Sequence, residues 1–81
     1  MDMRRLVGRN FARIRRAKGL TQEEVAEVSG FSQQYLSGLE QGHRNPTVVT
    51  LFELAQALRI RPVDLLEEPP EAASPAKRGP R

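Results

Sequence analysis

Apolar residues recur along the chain with the period of an α-helix. Val7, Phe11 and Ile14 are spaced i, i+4, i+7, and they predict a first helix that ends near Gly19. The apolar face of a later predicted helix consists of Leu51, Leu54, Ala55 and Leu58. Alternation of apolar and polar residues is nowhere sustained, so the pattern favours helices over strands.

Helix-capping residues divide the sequence into further helices. Thr21 and Glu24 have the spacing of a capping box, in which each side chain bonds the backbone amide of the other residue. Ser32 and Thr47 are suited to cap a third and a fourth helix, and Pro62 stands where a short fifth helix would begin. Five helices with short connections predict an all-α bundle as the fold class.

The composition changes after Leu66. Four of the six prolines lie in residues 67–81, and no apolar residue larger than alanine occurs there. Such a segment lacks the side chains that a core needs, so we expect residues 67–81 to be a disordered, charged tail rich in Pro and Ala. Residues 1–66 are expected to form the folded domain.

The composition also excludes several kinds of protein. The 81 residues include no Cys and one His, which excludes disulfides, thiolate metal sites and a zinc site of the usual kind. No Ser/His/Asp set and no phosphate-cradling Gly loop is present, so we expect no catalytic residues, no metal, no cofactor and no enzymatic activity. No segment approaches the ~20 apolar residues of a membrane helix, and the N-terminus lacks the apolar stretch of a signal peptide. We therefore expect a cytoplasmic protein with no membrane partner.

Charge is unevenly distributed along the chain. Thirteen Lys and Arg outnumber ten Asp and Glu, which gives a formal net charge of +3 and a pI of about 10.2. Residues 1–18 carry seven basic residues and one acidic residue, whereas residues 19–43 carry four Glu and no Lys or Arg. Two interpretations fit this distribution, a polyanionic partner or a solvated basic helix face.

Residues 22–41 have the spacing of a helix-turn-helix. A helix of about eight residues is followed by a tight turn and a second helix. Ala26 is small where the following helix must pack, Gly30 can adopt the positive φ of the turn at no steric cost, and Leu36 is expected to fill the space between the two helices. The caps, the turn and the flanking helices agree with one another, so the sequence predicts a central helix-turn-helix.

Three blocks of the sequence, RIRRAKGLTQEEVA, SGFSQQYLSGLEQGHRNPT and LFELAQALRI, carry a resemblance that runs from about Arg9 to Leu66. They resemble the phage-repressor-like helix-turn-helix proteins, the lambda repressor and Cro type or XRE family. The run YLSGLEQGHRNPT is similar to that of restriction-modification controller proteins and other small stand-alone regulators. The resemblance implies a five-helix lambda-repressor-like domain in a transcriptional regulator, a repressor or an autoregulator. Its implied partners are double-stranded operator DNA, expected to be an inverted repeat, and a second copy of the chain.

The resemblance also assigns base-reading positions. It places the helix of residues 32–41 in the major groove, where the carboxamides of Gln33 and Gln34 would pair with adenine. Gly38 departs from the family pattern, which has a long polar residue at this position, so Gly38 reads no base through a side chain. The base-reading positions that the resemblance implies are Gln33, Gln34, Ser37 and Gly38.

A second set of positions is implied to contact the DNA backbone. These positions are Arg16, Thr21, Gln22, Ser32, Tyr35, Gln41, His43, Arg44 and Asn45. Arg15 and Glu40 match a structural ion pair that ties the first helix to the third in this family. Neither of these two residues is expected to act on a substrate.

A protein-interaction module is the alternative function. An antitoxin or an adaptor of the same fold would bind a toxin or another regulator. The absence of Lys and Arg between Gly19 and His43 supports this alternative, because it leaves the recognition helix uncharged or acidic. A stoichiometric protein partner, with no DNA affinity in ~100 mM salt, would favour it over DNA binding.

Overall fold

The computed structural model describes residues 2–68, and these residues form an all-helical fold. The elements are α1 (Met3–Ala17), α2 (Gln22–Ser29), α3 (Gln33–Glu40), α4 (Val48–Leu58) and a 3-10 helix (Pro62–Leu65). The predicted all-α class is therefore confirmed. From residue 69 onward the predicted tail lies outside the described residues. Within the described part, no helix is long and apolar enough to cross a membrane.

The last of the five predicted helices is a single 3-10 turn. Its backbone bonds run from Asp64 N to Arg61 O and from Leu66 N to Val63 O, each at 2.9 Å, which is the i to i+3 pattern. Pro62 fits the first position of this helix because an N–H there would have no acceptor within the helix, so proline loses no hydrogen bond. The bundle thus has four α-helices, and the fifth element is too short to form a fifth.

The predicted helix caps are present. The Thr21 hydroxyl accepts from Glu24 N at 3.0 Å, and the Glu24 carboxylate accepts from Thr21 N at 2.8 Å, so both halves of the capping box form. The hydroxyls of Ser32 and Thr47 each accept a backbone N–H from the first turn of the helix that follows. These local bonds fix where α2, α3 and α4 begin.

A left-handed residue follows the last turn of α2 and of α4, but the two residues differ in kind. Gly30 has φ 85°, as the turn of a helix-turn-helix requires. After α4 the same conformation falls on Arg59, with φ 60°, and Ile60 N closes the turn by donating to Ala55 O at 2.9 Å. No glycine marks this helix end in the sequence, so the signal used for the other helices is missing here.

The core lies where the four α-helices and the 3-10 helix meet. α1 packs against α3 and the 3-10 helix, α2 packs against α3 and α4, and α4 packs against the 3-10 helix. The buried side chains of this core are Val7, Phe11, Val25, Leu36, Leu39, Leu54, Ala55, Leu58 and Leu65. Burial of this apolar surface is the main force that holds α3 in place on the rest of the fold.

A buried polar side chain ties α1 to the end of the described chain. Asn10 is fully buried, and its Nδ2 donates to Leu65 O at 2.9 Å and to Glu67 O at 2.7 Å. Its Oδ1 accepts from Nη2 of Arg13 at 3.2 Å. Asn10 was not singled out in the sequence, because its position within the apolar stripe of α1 gives no sign of its distant partners.

Candidate nucleic-acid interface

The helix-turn-helix unit presents one exposed face of α3. Leu36 and Leu39 are fully buried and hold the opposite face of the helix against the core, and Ala26 on α2 is half-buried in contact with that core. Gln33 and Gln34, in the first turn, are exposed. The side chains implied to read bases are therefore directed away from the core.

The other two positions implied to read bases are less open. Ser37 and Gly38 are each half-buried, one turn after the two glutamines. The Ser37 hydroxyl accepts from Nε2 of Gln41 at 3.2 Å, so these two side chains bond to each other along the helix. Helical spacing nevertheless brings Gln33, Gln34, Ser37 and Gly38 to one side of α3.

The start of α2 is joined to the end of α3 through a side-chain bond. Nε2 of Gln22 donates to Oε1 of Glu40 at 3.1 Å. The sequence does not reveal this bond. The bond fixes the N-terminus of α2 relative to α3, and it leaves the side-chain oxygen and one amide proton of Gln22 for another partner.

An almost buried ion pair connects α1 with the same carboxylate. Nε of Arg15 lies 2.7 Å from Oε2 of Glu40, and Nη2 of Arg15 lies 3.1 Å from Oε1. Nη1 of Arg15 also donates to Leu20 O at 2.7 Å. The hydrogen bond that Arg15 donates to the Glu40 carboxylate is the main cause of the raised pKa of Arg15, and burial opposes this effect. The structure thus joins the two residues that the resemblance pairs.

The loop between α3 and α4 folds back onto α3. Gly42 adopts φ 81°, and its N–H donates to Leu39 O at 3.0 Å, while His43 N donates to Gly38 O at 2.9 Å. This pair of bonds is a Schellman motif, which ends the helix and sets the direction of the following residues. His43, Arg44 and Asn45 are consequently exposed directly beside α3.

Three side chains of α3 and its flanking loops form a stack. The rings of Phe31 and Tyr35 are stacked with centroids 5.2 Å apart, and the guanidinium carbon of Arg44 lies 5.3 Å from the Tyr35 centroid. Burial raises the pKa of Tyr35, and the positive charge of Arg44 lowers it in part. The sequence suggested no contact between Arg44 and Tyr35, which are nine positions apart.

The remaining implied backbone contacts are dispersed around this face. Thr21 and Ser32 are exposed at the N-caps of α2 and α3, where their hydroxyls are already engaged with backbone amides. Arg16 is exposed in the last turn of α1, and no ion pair within residues 2–68 joins it to α3. Within the same residues, no three His, Asp or Glu side chains are grouped as ligands of a metal ion.

Comparison with known proteins places this arrangement in a family. The profile of the helix-turn-helix family HTH_3 matches residues 11–65, which is more than half of the chain. The chain belongs to the helix-turn-helix family. The uncharacterized HTH-type transcriptional regulator y4dJ of Sinorhizobium fredii is 73% identical over 66 residues, which cover 82% of this chain and 86% of that protein. Control protein C.SmaI of Serratia marcescens is 36% identical over 66 residues, which cover 82% of this chain and 79% of that protein.

Solved structures of helix-turn-helix proteins share this fold. The restriction-modification controller protein C.AhdI of Aeromonas hydrophila superposes with a TM-score of 0.73 at 40% identity, covering 76% of this chain and 94% of that one. The controller protein C.Esp1396I, crystallised as a tetramer with its natural 35 base-pair operator, gives a TM-score of 0.74 at 31% identity, covering 80% and 86%. The family resemblance inferred from the sequence is confirmed.

Proposed function

We propose that this helix-turn-helix protein is a transcriptional regulator, a repressor or an autoregulator, that reads operator DNA as a homodimer. The observation that carries the proposal is the exposure of both carboxamides, Gln33 and Gln34, on the first turn of α3. The names of the relatives support it, because they are those of transcriptional regulators and controller proteins. The operator complex of C.Esp1396I supports DNA as the ligand.

Base contacts in this proposal come from α3. A glutamine carboxamide offers a donor beside an acceptor, which complements N7 and N6 of adenine in the major groove. Gln33 and Gln34 supply this pattern twice in succession, and Ser37 adds a hydroxyl one turn further along the helix. Gly38 has no side chain for a base contact. Base preference is therefore expected to depend mainly on the two glutamines.

Phosphate contacts are proposed to flank the base-reading face. The N-terminus of α2 favours an anion through its backbone N–H groups and helix dipole, and the α3–α4 loop presents exposed polar side chains. The proposed contributors are Arg16, Thr21, Gln22, Ser32, Tyr35, Gln41, His43, Arg44 and Asn45. Such contacts set the affinity and its salt dependence rather than the preferred sequence.

A second copy of the chain is the proposed partner for an apolar surface away from α3. Large exposed apolar side chains occur on α4, on the 3-10 helix and at the residue that follows it, and α4 packs against the 3-10 helix. These side chains are Val48, Val49, Phe52, Val63 and Leu66. Apolar surface of this kind marks an interaction site. Sedimentation across micromolar concentrations should show a monomer–dimer equilibrium, and a monomer at every concentration would contradict the dimer.

A protein-interaction module remains the less favoured alternative. The apolar surface on α4 would fit a foreign protein as well as a second copy, but the regulators and controllers among the relatives favour DNA binding.

We further propose that residues 1–66 form the DNA-binding domain, that residues 67–81 lie outside it, and that the protein acts in the cytoplasm, where bacterial operators are found.

Selection of duplexes from a random library at ~150 mM salt tests the proposed function. An enriched inverted repeat, with half-sites about one helical turn apart, is expected for a dimeric helix-turn-helix protein. Omitting the protein from a parallel selection provides the control. Absence of enrichment, or only salt-sensitive binding without sequence preference, would contradict sequence-specific reading. Co-purification of a stoichiometric protein partner would then favour the alternative.

A further inference from the structure

The side chain of Arg44 occupies the space that a side chain at position 38 would need. A Cβ built on Gly38 would lie 2.9 Å from Nε of Arg44 and 3.6 Å from its Cγ and Cζ. We infer that Gly38 and Tyr35 form a seat that holds Arg44 in position to bind one phosphate of the DNA backbone. The inference rests on the proposed function, and it gives Gly38 a role that differs from base reading.

Contacts on two sides define this seat. Tyr35 lies under the guanidinium at 5.3 Å, and Phe31 stacks on Tyr35 at 5.2 Å, so the ring itself is supported. Glycine at position 38 leaves the surface of α3 open for the stem of Arg44. The bond from His43 N to Gly38 O, at 2.9 Å, fixes the backbone immediately before Arg44.

The charge of the seated guanidinium is available to an anion. Within residues 2–68, the ion pairs involve the arginines at positions 4, 5, 15 and 61, and Arg44 is in none of them. Arg44 is also exposed, although its stem lies against α3. A guanidinium that is held by a ring on one face keeps its N–H donors for a phosphate.

Preorganisation is the physical gain from such a seat. A free arginine loses many rotamers when it binds, whereas a side chain already held loses fewer, and this difference appears as affinity. Gly38→Ala would place a methyl group 2.9 Å from Nε of Arg44, which is too close, and the flexible side chain of Arg44 would move away. The helix itself would not be weakened, because alanine is a better helix former than glycine. Affinity and fold stability are therefore expected to change in opposite directions.

A double-mutant cycle with the full chain and its selected operator tests the inference. Gly38→Ala is expected to weaken binding by about 2- to 10-fold, the range that immobilising one long side chain spans. In the Arg44→Ala background the same change should alter affinity by less than about twofold, because no side chain remains to be displaced. Arg9→Ala, which removes one exposed positive charge from α1 that is in none of the ion pairs within residues 2–68, is the matched control for net charge.

Equal losses in both backgrounds would overturn the inference, because Gly38 would then act through its own approach to the DNA. If Gly38→Ala caused no loss of affinity in the chain that keeps Arg44, the inference would be overturned as well. Binding of every variant is compared on the operator and on operators with single base-pair changes. The loss caused by Gly38→Ala should be the same on all of them, since a phosphate contact carries no base preference.

A measurement on the free protein detects the seat without DNA. The Arg44 side-chain protons should show ring-current shifts in NMR spectra because they lie over Tyr35. The shifts should persist in Tyr35→Phe, which keeps a ring, and should collapse in Tyr35→Leu and in Gly38→Ala. Unchanged shifts in Gly38→Ala would overturn the seat. Failure of the unaltered protein to bind any DNA would instead contradict the proposed function and the phosphate role, while these shifts would still report the seat.

Discussion

The carboxylate of Glu40 accepts two hydrogen bonds from the guanidinium of Arg15, at 2.7 Å and 3.1 Å, across the contact between α3 and α1. The two side chains are only 7% and 10% exposed, so water does little to compensate either charge. Glu40 also accepts a hydrogen bond from the side-chain amide of Gln22 at the start of α2. One carboxylate therefore sets the position of α3 relative to two other helices.

Glu40→Ala should destabilise the fold by about 3–5 kcal/mol, the usual cost of leaving one charge of a buried pair without its partner. For a small domain this is a large part of the total free energy of unfolding. Urea denaturation followed by circular dichroism measures the loss. Glu53→Ala, which removes an exposed carboxylate from α4, is the control and should change stability by less than about 0.5 kcal/mol. Similar effects of the two substitutions would contradict a structural role for the pair.

Local signals in the sequence predicted the elements, and contacts between distant residues were harder to predict. The capping box of Thr21 and Glu24 and the turn at Gly30 are visible because each depends on residues a few positions apart. The bonds from Asn10 to Leu65 and Glu67 span more than fifty positions, and no periodicity indicates them. The position of α3 could be predicted, but the bond of Gln22 to Glu40 could not.

The candidate site shows the same division. The exposed glutamines of α3 follow from helical periodicity, and their suggested role followed from the resemblance. Gly38 was a departure from the family pattern, and nothing in the sequence indicated its proximity to Arg44. The side chain of Arg44 lies beside Gly38 because the Schellman turn at Gly42 folds the loop back onto α3. Which side chains such a turn brings together depends on the three-dimensional path of the loop, which the sequence pattern does not show.

Asn10→Leu should destabilise the protein by about 1–3 kcal/mol, because the buried carbonyl of Leu65 would lose its hydrogen-bond donor. The leucine side chain is similar in size, so the change mainly removes polar bonds. Thermal and urea unfolding measure the effect. Asn45→Ala, at an exposed loop position, serves as the control. A stability equal to that of the unaltered chain would show that the bonds to Leu65 and Glu67 contribute nothing.

Arg59→Gly should stabilise the protein by about 1 kcal/mol, because a left-handed conformation is costly for a residue with a Cβ and free of that cost for glycine. The bond from Ile60 N to Ala55 O would be retained. Arg61→Gly is the matched control, since Arg61 has φ −84° and gains nothing from glycine. A lower melting temperature for Arg59→Gly than for the unaltered chain would contradict this reasoning.

The ionised Asp64 carboxylate should stabilise the folded protein, and this contribution should be lost at acid pH. The backbone N–H of Arg61, which donates to the carboxylate at 3.0 Å, is the main cause of the lowered pKa of Asp64, and the Arg61 guanidinium adds to it. Because the folded state holds the carboxylate ionised, the contribution is complete above the ordinary pKa of 3.8 and is lost as the pH falls through the lowered value.

The expected result for Asp64→Asn is a smaller loss of stability between pH 5 and pH 2 than in the unaltered chain. The free energy of unfolding in urea, measured at several pH values, tests this directly. Glu53→Gln removes a carboxylate from the exposed face of α4 and provides the comparison. Parallel pH profiles for Asp64→Asn and the unaltered chain would rule out the contribution.

Gln33→Ala should cost about 1–3 kcal/mol of binding free energy on the selected operator, because a bidentate contact to adenine contributes that much discrimination. The loss should be confined to one base pair: operators changed at that pair should bind the variant and the unaltered protein with similar affinity. Gln56→Ala, an exposed glutamine on α4, is the matched control and should leave binding unchanged. The salt dependence should also stay the same, since no phosphate contact is removed. An equal loss on every duplex would contradict base reading by Gln33 and assign its carboxamide to the DNA backbone instead.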